Sequence, residues 1–219
     1  MKKPVIAVDG TAASGKGTLA RRLAKHFNYA YLDTGLLYRA VGYMTITLYD
    51  RQDDINQEMA ISAISSITPE LLKNPLLRSA EVTDYASKIA IMPLVRKQLK
   101  KRQQNFANNP PKPFGGAVLD GRDIGTVICP NANYKFFLDA LIEVRAERRV
   151  KELLEMGVDA IHARVLQDMR ERDNRDSSRS LAPLVIADDA FALDTTKMDM
   201  EVVFNKALEF INKQNKSEA

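Results

Sequence analysis

The apolar residues of this chain cluster in short runs that are apolar on consecutive positions, each closed by an aspartate: 5–9, 30–33, 117–120, 134–139 and 190–194. Strict alternation would mark strands with one wet face. Unbroken runs of this length suit strands buried on both faces, as in a parallel sheet covered by helices. Between them the spacing changes to a helical period. Residues 18–27 put Leu19, Leu23 and Phe27 on one stripe, and 82–105 and 142–156 are longer helical stretches with charged outer faces. Strand and helix alternate, which predicts an α/β class with right-handed crossovers.

The alternation is interrupted once. Residues 50–106 contain no buried-strand run and read as a helical insertion between the second and third strands, a candidate substrate lobe. The breaker-rich Asn108-Asn-Pro-Pro-Lys-Pro113 returns the chain to the core. One domain is expected, with its core at about 1–45 and 114–219, the insertion at about 46–113, and a frayed polar tail from 212.

The 219 residues suffice for one core without disulfide or metal support, and Cys129, the sole cysteine, allows no internal disulfide and is expected to be buried. A cytoplasmic setting follows. The apolar run at 5–8 stops at Asp9, too short for a signal peptide, and no run approaches a membrane span. The formal charge of +4 would suit nucleic acid, but the arginines at 170–179 are interleaved with acids and no nucleic-acid motif accompanies them. Phosphorylated small molecules fit better, with neither nucleic acid nor membrane as partner.

The sharpest chemical feature is Gly10-Thr-Ala-Ala-Ser-Gly-Lys-Gly-Thr18, between the first buried run and the first amphipathic helix. Glycines let several backbone N–H groups converge on one anion, and the helix N-terminus adds partial positive charge. Gly10, Thr11, Ala12, Ala13, Ser14, Gly15, Lys16, Gly17 and Thr18 thus form a candidate ATP cradle, with Lys16 facing the outer phosphates. Gly17 stands where such loops usually carry a magnesium-binding hydroxyl, and Thr18 follows one place later. No direct metal ligand is identified; Asp120, closing the third run, is the candidate to hold magnesium through water.

Other polar residues gather at the ends of the runs, where ligands of open α/β sheets sit. Thr34 and Arg39 follow the second, and Arg39 can clamp a phosphate. Arg122 and Asp123 follow the third, suited to phosphate and to a base amine respectively. In a helix Arg172, Asp176 and Arg179 share a face, read here as a mobile positive surface with exposed pairs. Residues 157–180 form a candidate lid with hinges at Gly157 and Ser177-Ser178. Arg145, Arg148 and Arg149 are candidates too, with a plain exposed helix face as the alternative. His26 and His162 lack partners at motif spacing and read as packing or surface residues. An ATP-dependent kinase acting on a nucleoside monophosphate fits best, because an ionised acceptor phosphate needs no general base. An alcohol acceptor would want a carboxylate, for which Asp33 is placed, and another small-metabolite kinase or a P-loop ATPase stays open. A guanine switch would carry Asn-Lys-x-Asp, which neither Asn205-Lys-Ala-Leu208 nor Asn212-Lys-Gln-Asn215 supplies.

Taken together these blocks resemble the bacterial cytidylate kinases of the nucleoside monophosphate kinase family. The loop at 9–18, Leu32-Asp-Thr-Gly35 with Tyr38-Arg39, Asp120-Gly-Arg-Asp-Ile-Gly-Thr126, Glu171-Arg-Asp-Asn-Arg-Asp176 with Arg179, Leu181-Ala-Pro-Leu184 and Leu193-Asp-Thr-Thr196 occur in the family's order. The resemblance implies a P-loop three-layer fold with a five-stranded parallel sheet, a helical insertion binding the monophosphate, and a small arginine-rich lid. It implies Mg2+ with ATP as donor and CMP or dCMP as acceptor; a monomer is expected, though the sequence does not itself give the oligomeric state. By motif Thr34, Arg39 and Arg122 would hold the acceptor phosphate, Ser87, Arg96 and Asp123 the cytosine, and Arg172 and Asp176 the sugar. Arg179 would help to close the site, and Lys16, Arg39, Arg122 and Arg179 would be its catalytic cations. Residues 66–81 are shorter than the family's usual insertion and carry Pro69 and Pro75, so little or no sheet is expected there.

Overall fold

A computed structural model describes residues 3–49 and 56–217. The chain divides into two compact units, residues 1–32 with 107–219, and residues 33–106. The second unit begins at Asp33, earlier than the composition change near 46, because the helix after the second strand belongs with the insertion.

In the first unit β1 (Val5–Gly10) runs parallel to β3 (Ala117–Gly121) and to β4 (Tyr134–Asp139), and β4 runs parallel to β5 (Phe191–Asp194). With β2 (Ala30–Asp33) the sheet has five strands in the order β2-β3-β1-β4-β5. Every residue of β1 and β3 is buried, which explains the unbroken apolar runs.

Helix α1 (Lys16–Phe27) lays Leu19 and Leu23 into a core shared with Ile6, Val8, Phe136 and Leu138. Burying each of those leucines stabilises the fold by about 2 kcal/mol. The helix ends on Asn28 in the left-handed conformation, whose N–H is bonded to the carbonyls of Ala24 and Lys25. Val203, Ala207 and Ile211 of the C-terminal helix complete this core, and His26 packs against Phe27 and Phe204.

The second unit is helical: α2 (Thr34–Leu48), α3 (Gln57–Ile64), α4 (Ala80–Ile89) and α5, from Pro93 to Asn108, whose last two residues fall in the first unit. Two 3-10 turns, Leu71–Lys73 and Pro75–Arg78, replace any sheet between α3 and α4, and past Asp33, the last residue of β2, no strand occurs among the described residues of this unit. The single helix expected at 82–105 is two helices. Pro93 opens the second, since it has no N–H to give the preceding turn and its ring clashes there. At Gly42 of α2 an added Cβ would meet the Ala86 nitrogen at 3.3 Å, so α2 and α4 approach closely at that point.

Back in the first unit, α6 (Ile142–Glu155) and α7 (His162–Ser178) are joined through Gly157, and α8 (Met200–Ser217) closes the chain. Ser177 and Ser178 form the last turn of α7, their hydroxyls bonded to the carbonyls of Asp173 and Asn174. Cys129 is half-buried, not buried, because it lies just past a short π-helical turn, Ile124–Ile128, in the connection to β4.

Candidate functional site

The loop after β1 is shaped mainly by backbone. A Cβ on Gly10 would lie 2.0 Å from the carbonyl oxygen of Leu138, so only glycine lets β1 and β4 come this close before the chain turns. Ala13 and Gly15 both have positive φ, 57° and 90°, which bends the chain into a cradle that opens on the N-terminus of α1. Ser14 Oγ and Lys16 Nζ both donate to the Thr11 carbonyl, at 3.0 and 3.3 Å.

Residues far along the chain hold the loop from outside. Thr11 donates to Asp139 at 2.6 Å, Thr195 donates to the Ser14 carbonyl at 3.0 Å, and Arg145 donates to the Ala12 carbonyl at 3.3 Å. Arg148 in turn holds Thr195 through its hydroxyl and its carbonyl. Arg145 is buried, not part of an exposed helix face, and also pairs with Asp173 of α7 at 2.7 Å. Spacing does not foretell these supports. The one sequence signal is that Asp139 ends a buried run and Thr195 lies in the block at 193–196.

Asp120 is buried at the end of β3 and accepts the Tyr31 hydroxyl at 2.9 Å. A Cβ on Gly17 would stand 3.3 Å from Asp120 Oδ2, so this carboxylate borders the first turn of α1 at the position where a loop of this kind usually carries a hydroxyl. Thr18 Oγ1 accepts from Arg21 at 3.4 Å. A single carboxylate without the hydroxyl fits a hydrated magnesium ion held through water better than a directly ligated one. Among the described residues no group of three or more His, Cys, Asp or Glu side chains is arranged to hold a metal.

The segment after β3 carries Arg122 and Asp123, and Asp123 is buried. Arg122 Nε donates to Asp176 Oδ2 at 2.8 Å, a partnership between residues 54 apart in the chain. Arg179 Nη1 and Arg172 Nε also approach Asp176, at 3.6 and 3.9 Å. The expectation of exposed pairs is thus corrected: Asp176 is 7% exposed, because Arg122 from the segment after β3 covers it. Burial works to raise the Asp176 pKa, but Arg122, Arg172 and Arg179 bring it below the ordinary carboxylate value. Burial likewise works to lower that of Arg122, and Asp176, Asp173 and Asp120 hold it above its usual value. Arg179 is the C-cap of α7, with an extended backbone and its Nε bonded to the Ala182 carbonyl, so it reaches Asp176 from beyond the helix.

In the second unit Thr34 is the buried first residue of α2, and Arg39 lies half-buried one turn later. Arg96 is buried, donates to the Ala90 carbonyl at 3.1 Å and stands over the Tyr38 ring at 5.8 Å. Ser87 is buried on α4, and its hydroxyl has no hydrogen-bond partner among the described residues. Asp33 faces Arg78 at 3.6 Å.

These two sets of residues sit on a frame that comparison with known proteins identifies. The family model described as cytidylate kinase matches residues 6–213. The chain belongs to the cytidylate kinase family. It is 49% identical over 207 residues to the cytidylate kinase of Rhodospirillum rubrum, covering 94% of this chain and 96% of that one. It is 50% identical over 214 residues to the cytidylate kinase of Methylocella silvestris, covering 97% and 96%. Among solved structures, an uncharacterized protein from Eubacterium ventriosum superposes with a TM-score of 0.55 over 96% of this chain and 99% of that one, at 15% identity, a likeness of fold alone. Among the described residues no helix is long and apolar enough to cross a membrane.

Proposed function

We propose that this chain transfers the γ-phosphoryl group of ATP to the phosphate of CMP or dCMP, giving ADP and CDP or dCDP. Membership of the cytidylate kinase family supports the reading. The observation that carries it is the pairing, within one compact unit, of a phosphate cradle with the half-buried Arg122 and the buried Asp123 at neighbouring strand ends.

In the reaction an oxygen of the acceptor phosphate forms a bond to the γ-phosphorus while the bond to the β-bridging oxygen breaks and ADP leaves. The acceptor oxygen is already ionised near neutral pH, so no side chain need remove a proton. The backbone N–H groups of residues 10–18 and Lys16 hold the donor phosphates. Thr34, Arg39 and Arg122 hold the acceptor phosphate. Arg179 adds positive charge as the nucleotide is enclosed, and Arg172 and Asp176 take the sugar. Asp120 would hold a magnesium ion through water, and the ion would supply charge neutralisation at the phosphates.

The base assignment follows hydrogen-bond complementarity. Cytosine offers an amine donor at N4 and acceptors at N3 and O2. Asp123 accepts from the amine, and Arg96 with Ser87 donates to the acceptors. Uracil would turn an acceptor toward the Asp123 carboxylate, a mismatch costing about 1–3 kcal/mol when buried. The test is a panel of kcat/KM values for CMP, dCMP, UMP, AMP and shikimate under saturating ATP. CMP and dCMP should lead it; a leading UMP, AMP or shikimate overturns the reading.

A further inference from the structure

The sequence marks Asp9 only as the end of a buried run, and no step of the proposed reaction uses it. Its carboxylate is 5% exposed and accepts two consecutive main-chain N–H groups, from Ile124 at 2.8 Å and Gly125 at 2.7 Å. Those N–H groups come directly after Arg122 and Asp123. Asp9 pairs in register with Gly121, so it stands beside the point where the chain leaves β3. The Asp123 carbonyl accepts from Val127 and Ile128 at 2.9 and 3.0 Å, which closes the turn on the other side. Buried Lys135 of β4 lines the same segment, its Cδ lying 3.1 Å from where a Gly125 Cβ would be.

We propose that Asp9 is a positioning residue for acceptor recognition: its two-pronged grip on the backbone of 124–125 fixes the directions in which Arg122 and Asp123 present their side chains. The inference rests on the assignment of Arg122 and Asp123 to the acceptor. Two N–H groups side by side need two acceptor oxygens. Asparagine offers one, and would set its own NH2 against the second N–H. The protein keeps an acid here at a cost. Burial pushes the Asp9 carboxyl up to about 6, against the pull of the Gly125 and Ile124 N–H groups, with Asp123 raising it and Arg122 lowering it. An error of an ångström in groups that orient substrate can cost about 10²-fold in rate.

Asp9→Asn, assayed in the full chain, is expected to lower kcat/KM for CMP by roughly 10–100-fold, chiefly through KM for CMP. KM for ATP should stay within about twofold, and the CMP-to-UMP ratio of kcat/KM should fall roughly tenfold. Gly125→Ala crowds the same turn while keeping the carboxylate, since its Cβ would lie 3.1 Å from Lys135 Cδ and 3.4 Å from Asp9 Oδ2. It should show the same pattern at smaller size, and it carries the test if Asp9→Asn does not fold. If the folded variants lose stability but keep KM for CMP and the base ratio, or if KM for ATP rises as much as KM for CMP, the inference is overturned. Asp123→Asn, run alongside, separates the two claims. A collapsed ratio there with none in the Asp9 and Gly125 variants sinks the positioning role alone. An unchanged ratio in Asp123→Asn sinks the base assignment and the inference with it.

Discussion

The phosphate loop at 10–18 and the arginine cluster at the end of α7 are both suited to anions, yet they are held in different ways. The loop is built from main-chain geometry: two left-handed residues, bonds to the Thr11 carbonyl, and outside supports from Asp139, Thr195 and Arg145. The cluster is built from charge, with Arg122, Arg172 and Arg179 gathered around the single carboxylate of Asp176. A scaffold of backbone bonds keeps its shape whichever anion arrives. A cluster of like charges depends on its counter-charge, so its arrangement responds to what is bound. The fixed loop suits the donor, and the charge-held cluster suits closure over a second nucleotide.

The sharpest way to break this contrast is to remove one charge from each. Lys16→Ala should abolish transfer, by at least about 10³-fold in kcat, with an unchanged unfolding curve, because the loop is held by other groups. Retained activity would remove the loop from catalysis. Asp176→Ala should in addition lower the stability of the fold, by about 3 kcal/mol in urea unfolding, since it leaves three cations crowded without their partner. A loss below about 0.5 kcal/mol would mean that the cluster is no more than a solvated surface.

Titration separates two buried acids of the core. Asp9 has its folded pKa raised from 3.8 to about 6, so its contribution to stability is fully present below 3.8 and is lost as pH rises through about 6. The loss is about 3 kcal/mol, and Asp9→Asn should remove it from the pH dependence of unfolding. Asp176 runs the other way: its lowered pKa gives stability that is present above 3.8 and is lost as pH falls through the folded value. If wild type and Asp9→Asn show the same slope between pH 4 and 6, the buried carboxylate is not charged as described.

Most of the frame was legible before the structure. Unbroken apolar runs ending in aspartate gave the parallel strands, since sheets covered on both faces need no alternation. The glycines at 10–18 gave the cradle, because few other residues tolerate that geometry. The helical insertion follows from missing strand runs, and Pro93, which breaks the helical stretch at 82–105, is itself visible in the sequence. Hidden instead were partnerships that depend on chain topology. Nothing in local spacing says that Arg122 meets Asp176, or that Arg145 reaches the Ala12 carbonyl across 133 positions. Asp9 reads from the sequence as a strand end and not as a clamp, since its partners are backbone groups that carry no sequence signature.

Two smaller effects sharpen the comparison further. Asp123→Asn should reduce the preference for CMP over UMP by roughly 10–100-fold in kcat/KM, with the fold intact. The exposed pair of Arg22 and Glu201, at 2.6 Å, is a control for the buried cluster. Glu201→Gln should change stability by less than about 1 kcal/mol despite that short distance.

The central claim is transfer between two nucleotides, and it is tested most directly by following the γ-phosphoryl itself. With ATP labelled at the γ-phosphate and CMP as acceptor, the label should appear in the β-phosphate of CDP, one for each ADP formed. Label released as inorganic phosphate, with CMP unchanged, would contradict the account and mark the chain as a P-loop ATPase instead.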